Sequence, residues 1–224
     1  PEPPSVESNR VRMLILPVNP SASFLSILFA NELWFTLGDM TMAEHCAMLS
    51  MIFSPRNSGS RMIKRLAEIN LVNGDDEAAL KYLRILDKTL LHKSWAEKRI
   101  PGQQTPQVKE WLEKKRRDIP TQDQLRSGND AVTSLQNLVA SNAGNLRAYE
   151  YLLCYHLLSK DLRSFVEDYV PGKVSSPIFA EALLIHLARQ GNIRAEELIK
   201  YQIPVEIAKE FADYTGFMRQ RTRV

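Results

Sequence analysis

The sequence predicts an all-α protein built as a stack of antiparallel helix hairpins, and three observations support this class. Only 9 of the 224 residues are glycine, where average usage would give about 16, so turn-rich β architectures are disfavoured. Apolar residues recur at spacings of three and four, as they do on one face of an α-helix. One helix–turn–helix signature occurs four times along the chain, which is typical of a stacked repeat.

The start of the chain is predicted to form an extended arm, residues 1–22. Five prolines lie in this segment, and proline removes a backbone donor and disfavours helix in the residue before it. We expect the arm to pack on the first helices of one cooperative helical-repeat domain that spans residues 23–221. An irregular insertion is expected at about 94–128, where prolines interrupt the helical pattern.

Residues 61–90 carry the clearest helix hairpin. Apolar residues fall at helical spacing over 61–72 and again over 75–90. Gly74 tolerates a positive φ at the end of the first helix, and the carboxylate of Asp75 can accept hydrogen bonds from the free amides of the second. The sequence therefore predicts a helix, a turn and a helix in this order.

Three further turns of this kind are predicted, and each separates two helices. The turns and their flanking helices are Gly38-Asp39 between 33–37 and 42–53, Lys160-Asp161 between 148–158 and 162–170, and Gly191-Asn192 between 178–188 and 194–202. Four hairpins of one type predict a stack, because a single hairpin is too small to bury its own apolar face.

Helices outside these pairs are also predicted. In the insertion, a helix begins at Thr105 or Pro106, and another helix follows a cap at Asn129 or Asp130. A final helix over 205–218 is expected to cover the open end of the stack, as terminal repeats must. Its inward side is predicted to hold Ile207, Phe211 and Tyr214.

Composition excludes some classes of partner. Lysine and arginine number 29 against 26 aspartates and glutamates, a net charge of +3. This surplus is too small and too interspersed to predict nucleic-acid binding.

No membrane span is predicted, because no window reaches the ~18 uninterrupted apolar residues that a span needs. The chain starts at Pro1 without a signal pattern, which is typical of a fragment. We therefore expect any membrane anchor to lie in a segment outside it.

No motif predicts catalysis, so no catalytic residue, metal ligand or cofactor is assigned. The histidines are isolated in sequence, and His156, in an apolar helix, is predicted to be a satisfied core residue. Cys46 and Cys154 lie in predicted helices and are expected to be small buried residues without a disulfide. One alternative is a soluble enzyme with a cleft near 95–127, which would need at least two histidines to meet carboxylates in one pocket.

The tryptophans and one basic run are given structural roles. Trp34 lies at helical spacing with apolar residues and is predicted to be in the core, whereas Trp95 and Trp111 are predicted to pack half exposed. Residues 109–118 hold five cations and three carboxylates, a surplus of +2. This run is predicted to form a solvated helix face rather than a phosphate or lipid-headgroup site.

The first two hairpins resemble tetratricopeptide repeats. The matching residues are Gly38, Ala43 and Pro55 in the first hairpin, and Gly74 and Ala79 in the second. Leu91 stands where a proline would close the second hairpin. The small residue, five positions after the glycine, lets two helices approach closely. The resemblance implies a tetratricopeptide-like α–α superhelix, a solenoid of antiparallel helix hairpins.

A second resemblance covers most of the chain from about residue 37. The runs that carry it are 65–71 (RLAEINL), 81–83 (KYL), 88–90 (KTL), 95–96 (WA) and 148–153 (AYEYLL). They are similar to an uncharacterised family of bacterial membrane proteins known as a domain of unknown function. The resemblance implies that this chain is the soluble tail of a multi-pass membrane protein, and it implies no activity.

The repeat geometry predicts where a partner would bind. In tetratricopeptide-like stacks the first helix of each hairpin lines a concave groove, and the resemblance implies seven charged groove residues. They are Glu32, Arg61, Lys64, Glu68, Arg147, Glu150 and Glu181. Four carboxylates and three cations on one surface suit an extended peptide better than a polyanion. The alternative is an ordinary salt-bridged surface, for example Lys64 with Glu68 at i,i+4 spacing.

Two functions therefore stand as expectations. The first is a non-catalytic scaffold that binds a protein or an extended peptide, in the tail of a membrane-attached protein. The second is an accessory domain of a membrane enzyme whose catalytic part lies upstream, where the tail would recognise substrate or regulate access. Neither involves nucleic acid, and each touches the membrane only through a segment outside these 224 residues.

Overall fold

Helices account for all of the regular secondary structure that the structure describes, so the prediction of an all-α fold is confirmed. The computed structural model describes residues 20–53, 59–120 and 131–221. Within these ranges there are twelve helices and no strand. The chain divides into two compact units, Pro1–Asp123 and Gln124–Val224.

The first unit contains six described helices. They are α1 (Pro20–Leu37), α2 (Met40–Phe53), α3 (Gly59–Asn73), α4 (Asp76–Asp87), α5 (Lys93–Glu97) and α6 (Pro106–Asp118). From α1 to α5 each helix packs on the next one along the chain, and α6 packs against α3. This is the neighbour-to-neighbour packing that consecutive hairpins produce.

The second unit also contains six described helices. They are α7 (Ala131–Ser141), α8 (Leu146–Leu158), α9 (Leu162–Asp168), α10 (Pro177–Arg189), α11 (Ala195–Lys200) and α12 (Val205–Arg221). The packed pairs are α7 with α8, α8 with α9, α9 with α10, and α10 with α12. The cap predicted at Asn129 or Asp130 lies outside the described residues.

Several helix boundaries differ from the prediction, and two of these differences have a clear local cause. α1 begins at Pro20, inside the predicted arm, because proline is well accepted in the first turn of a helix. The rest of the arm, residues 1–19, lies outside the described residues. α4 ends at Asp87, earlier than predicted. There the hydroxyl of Thr89 donates to the carbonyl of Leu86 at 2.7 Å. In a continued helix this carbonyl would accept from the backbone amide four residues later instead.

The four predicted turns share one geometry, which confirms them. A residue with positive φ ends the first helix in each case: Gly38 (+89°), Gly74 (+80°), Lys160 (+58°) and Gly191 (+66°). The amide of the next residue donates to the carbonyl five positions back, at 2.8 to 2.9 Å. This is the bond of a Schellman motif, which satisfies carbonyls that the helix end leaves free.

Aspartate caps complete three of these turns. The Asp39, Asp75 and Asp161 carboxylates each accept a hydrogen bond from the amide three residues later, at 2.9, 2.9 and 3.1 Å. Each cap satisfies a free amide of the second helix and places a negative charge at its positive end. The second helix therefore starts at a fixed angle to the first.

Each unit has its own apolar core. The main cluster of the first unit consists of Phe35, Met40, Ala43, Ile69, Leu71, Val72, Ala79, Val108 and Leu112. Trp34 and Trp111 pack half-buried against it. Ala43 and Ala79, the small residues predicted to allow close helix approach, are fully buried.

The core of the second unit centres on Phe165. This residue stands at the repeat position that Ala43 occupies in the first unit, and its fully buried ring lies 5.7 and 5.8 Å from the rings of Tyr169 and Phe179. The second unit therefore fills with an aromatic ring the position that holds a small alanine in the first unit.

Two residues predicted to be buried are exposed. Tyr214 is exposed because the packing of α12 on the core ends at Phe211. Cys154 is exposed because it lies on the face of α8 that also carries Glu150 and Leu158, one turn away on either side. Cys46 is buried, as predicted, and both cysteines are free thiols.

Candidate functional site

The strongest candidate site is a group of cations, carboxylates and aromatic rings around α3. Helical spacing places residues 61, 64, 65 and 68 on one side of this helix. The end of α1 and the segment around α5 add further side chains. We name the group the α3 cluster, and it consists of Glu32, Phe35, Lys64, Arg65, Glu68, Trp95 and Arg99.

Arg65 joins two carboxylates from different helices. Its Nη2 is hydrogen-bonded to Oε2 of Glu32 on α1, and its Nη1 donates to Oε2 of Glu68 at 3.1 Å. The guanidinium carbon lies 3.8 Å from the centre of the Phe35 ring. The Arg65 side chain is largely buried, so these charge-assisted bonds fix its position and tie α1 to α3.

Two further cations contact the ring of Trp95. Nζ of Lys64 lies 4.6 Å from the ring centre and the guanidinium carbon of Arg99 lies 4.1 Å from it. Both distances are within the range of cation–π attraction. Arg99 also donates to the Trp95 carbonyl at 3.2 Å, while its buried Nε has no hydrogen-bond partner within the described part of the chain. Among the described residues, neither cation has a carboxylate within 4.0 Å.

Burial changes the acid–base properties of the α3 cluster. Desolvation raises the pKa of Glu68, and the positive charges of Arg65, Lys64 and Arg99 lower it only in part. Desolvation likewise lowers the pKa of Arg99, against the attraction of Glu68. These groups are therefore partly withdrawn from water, where charge interactions are stronger than at a fully solvated surface.

Three of the seven predicted groove residues, Glu32, Lys64 and Glu68, belong to the α3 cluster. Arg61 is exposed on the same helix. The ion pair suggested between Lys64 and Glu68 is not the one that forms, since Lys64 lies over Trp95 and Glu68 bonds to Arg65. Arg65 was not among the predicted site residues, although its i,i+3 spacing to Glu68 indicates an ion pair.

The other three groove residues lie in the second unit. Arg147 and Glu150 are exposed on α8, and Glu181 is exposed on α10. A groove residue of a tetratricopeptide-like repeat must be exposed and must lie on the first helix of its hairpin, and these three residues meet both conditions. A single groove that joins all seven residues stays a prediction.

A buried histidine organises a polar cluster in the second unit. Nε2 of His156 lies 2.9 Å from Oδ2 of Asp168, which also accepts a hydrogen bond from Gln136 at 3.3 Å. The Tyr149 hydroxyl donates to the Asp168 carbonyl at 2.9 Å and accepts from the Val170 amide at 2.6 Å. These bonds fasten α8 to the end of α9, and they confirm His156 as a satisfied core residue.

The other three histidines lie on or next to other helices, with His45 on α2. His92 precedes the short helix α5, and Nε2 of His186 lies 2.9 Å from the side-chain amide of Gln190. In the part of the chain that the structure describes, no group of three or more histidines, cysteines, aspartates or glutamates is arranged to hold a metal ion.

Most of the basic run of α6 is exposed, as predicted for residues 109–118, but two of its cations also bond to the ends of other helices. Nζ of Lys115 donates to the carbonyl of Phe35 at 3.2 Å. Arg116 donates to the carbonyls of Leu71 and Val72 at 2.8 and 3.0 Å. These carbonyls belong to the last turns of α1 and α3, where the backbone dipole attracts positive charge. Two of the five cations therefore cap helices.

Among the helices described between residues 20 and 221, none combines sufficient length with sufficient hydropathy to cross a bilayer.

Comparisons with known proteins give one match. The profile of a protein family described as "Family of unknown function (DUF6057)" matches residues 5–223, nearly the whole chain. Neither the comparison with curated proteins nor the comparison with solved structures found a match.

Proposed function

We propose that this chain, which belongs to the family of unknown function DUF6057, is a non-catalytic scaffold that binds a protein or an extended peptide. In this proposal the chain is the soluble tail of a protein that is attached to a membrane by a segment outside these 224 residues. It needs no cofactor and does not bind nucleic acid.

The α3 cluster is the observation that carries the proposal. It offers cations at Lys64 and Arg99, carboxylates at Glu32 and Glu68, and the ring of Trp95. An extended peptide presents both donors and acceptors, so a surface of mixed charge suits it better than it suits a polyanion. A half-exposed carboxylate at Glu32 would repel a phosphate chain.

The proposed architecture is a tetratricopeptide-like right-handed superhelix. Its support is the repeated turn geometry, together with the buried alanines at the close-approach positions of the first two hairpins. In such a stack the first helix of each hairpin faces a common groove. The groove surface proposed on the first unit then contains Glu32, Arg61, Lys64 and Glu68, and the one proposed on the second unit contains Arg147, Glu150 and Glu181.

Charge reversal tests the groove. We expect Lys64→Glu and Glu150→Lys each to weaken, by at least fivefold, the capture of one identified partner from detergent-solubilised membranes of the source organism, since each adds like-charge repulsion. Circular dichroism and thermal melting should show an unchanged fold.

Matched variants on other helices serve as controls for this test. Lys109→Glu on α6 and Glu206→Lys on α12 reverse exposed charges outside the proposed groove. We expect neither to change the capture. Undiminished capture by both groove variants, with the fold intact, would refute the assignment of the groove.

A further inference from the structure

Two adjacent leucines between α4 and α5 are the most exposed large apolar side chains of the described residues. Leu90 is 103% exposed and Leu91 is 90% exposed. Such values mean that both side chains extend beyond their surroundings. A single exposed leucine is ordinary, but a protruding pair is a feature that calls for a partner.

Hydrogen bonds hold this pair in place. The amide and the hydroxyl of Thr89 both donate to the carbonyl of Leu86, at 2.9 and 2.7 Å. On the other side, the amide of His92 donates to the Thr89 hydroxyl at 3.2 Å, and the amide of Lys93 donates to the Thr89 carbonyl at 3.1 Å. The leucines are therefore presented by an ordered turn rather than by a loose loop.

Basic residues surround the pair in the sequence. Over residues 84–98 there are four cations and two carboxylates, so the local net charge is +2, counted as four minus two. The cations are Arg84, Lys88, Lys93 and Lys98, and all four are exposed. One of the carboxylates, Glu97, lies 3.9 Å from Lys93. Lys88 and Lys93 are each only two residues from a protruding leucine.

We infer that Leu90 and Leu91 insert into the surface of a lipid bilayer that contains anionic lipids. Apolar side chains at the boundary of the acyl region and lysines at the headgroups are the arrangement by which surface-bound segments attach. A bilayer is deformable and accepts protruding side chains without a pocket of matching shape, which a protein partner would need.

This inference adds to the proposed function and does not depend on it. The sequence predicted contact with a membrane only through a segment outside the chain. Here the chain itself would touch the bilayer, through a turn on the opposite end of α4 from Asp75. The α3 cluster takes no part in this contact.

Co-sedimentation with lipid vesicles tests the inference. The chain is mixed with vesicles of phosphatidylcholine alone, or of phosphatidylcholine and phosphatidylglycerol in a ratio of roughly 7:3, a surface charge that attracts lysines. We expect the wild-type chain to bind the anionic vesicles and to bind the neutral ones much more weakly. The double variant Leu90→Ser/Leu91→Ser should bind the anionic vesicles roughly tenfold more weakly, because two apolar side chains are lost.

A matched control distinguishes insertion of the two leucines from nonspecific adsorption of exposed apolar side chains to vesicles. Leu158 is 85% exposed at the end of α8, and Leu158→Ser should leave binding unchanged. A second variant, Lys88→Gln/Lys98→Gln, keeps both leucines and should weaken binding to the anionic vesicles only, which tests the headgroup contact independently.

Several results would overturn the inference. One is absence of wild-type binding to the anionic vesicles, and another is an equal loss for Leu158→Ser and for the double leucine variant. A dimer of the wild-type chain in sedimentation velocity that the double leucine variant abolishes would assign the leucines to a second copy of this chain instead.

Discussion

Two glycines with the same backbone conformation differ in their surroundings. Gly38 and Gly74 both have positive φ, at +89° and +80°. A Cβ atom on Gly38 would lie 2.3 Å from the carbonyl oxygen of Asp118 at the end of α6, whereas a Cβ on Gly74 would meet nothing within 4 Å. Gly38 therefore serves both the turn and the close approach of α6, and Gly74 serves only the turn.

We expect Gly38→Ala to lower the free energy of unfolding by about 3 kcal/mol and Gly74→Ala by about 1 kcal/mol. In both variants an alanine must adopt a left-handed backbone conformation, which costs free energy. Only in Gly38→Ala must the backbone of Asp118 also move to make room for the Cβ atom. Urea denaturation followed by circular dichroism measures both values. Equal losses in the two variants would show that α6 does not press on Gly38.

Glu68 makes stability depend on pH. Because burial raises its pKa in the folded chain, the folded state binds this proton more tightly than the unfolded state does. This contribution to stability is complete below the ordinary titration range of a glutamate and is lost as the pH rises through the raised pKa. We expect Glu68→Gln to remove this loss, so that the stability of the variant relative to wild type increases from pH 4 to pH 7.

An exposed carboxylate provides the control for this pH series. Glu110 is well exposed on α6, with Lys114 3.9 Å away. The stability of Glu110→Gln relative to wild type should stay nearly flat over the same range, as measured by thermal melting at each pH. A flat difference for Glu68→Gln as well would contradict the burial of an ionised Glu68.

At the scale of the helices, α6 holds the ends of two other helices in the first unit. Lys115 donates to a carbonyl in the last turn of α1, and Arg116 donates to two carbonyls in the last turn of α3. A helix end leaves its last carbonyls without internal partners, so cations from another helix satisfy them. The insertion predicted at 94–128 thus supplies structural contacts to the first two hairpins.

We expect Arg116→Gln to lower the free energy of unfolding by about 1–2 kcal/mol, since two charge-assisted hydrogen bonds and a favourable charge at the helix end are lost. Arg116→Lys should recover only part of this loss, because an ammonium group lacks the fork of a guanidinium. Lys114→Gln is the control, because Lys114 is about three-quarters exposed two residues earlier in α6, and it should have almost no effect. Urea denaturation measures the free energy of unfolding of each variant. If Lys114→Gln lowered it as much as Arg116→Gln, the cause would be helix propensity and not capping.

At the scale of the whole molecule, the same positive-φ turn occurs in both units, but the residues that fill the core after the turn differ between them. In the first unit the turn is followed by the buried alanines Ala43 and Ala79, and in the second by Phe165. One cooperative domain over residues 23–221 was predicted, and the described contacts fall into two compact units. Cooperative unfolding of the two units stays a prediction.

The candidate site was predictable in part. The resemblance to tetratricopeptide repeats placed Glu32, Lys64 and Glu68 on one surface, and they share the α3 cluster. Trp95 was expected to be half exposed and is, but its contact with two cations was not expected. Arg99 gave no signal, because it reaches the cluster from a segment more than 30 residues beyond Lys64 in the chain.

The sequence by itself determined the helices and their turns. Spacings of three and four residues, a glycine with positive φ and an aspartate cap act within about five residues, so the chain needs no distant partner to specify them. Only the tertiary structure decided which side chains meet across helices. Arg65 reaches Glu32 over 33 residues, Arg116 reaches Val72 over 44 and Lys115 reaches Phe35 over 80. These contacts depend on how the helices pack, which periodicity along the chain does not encode.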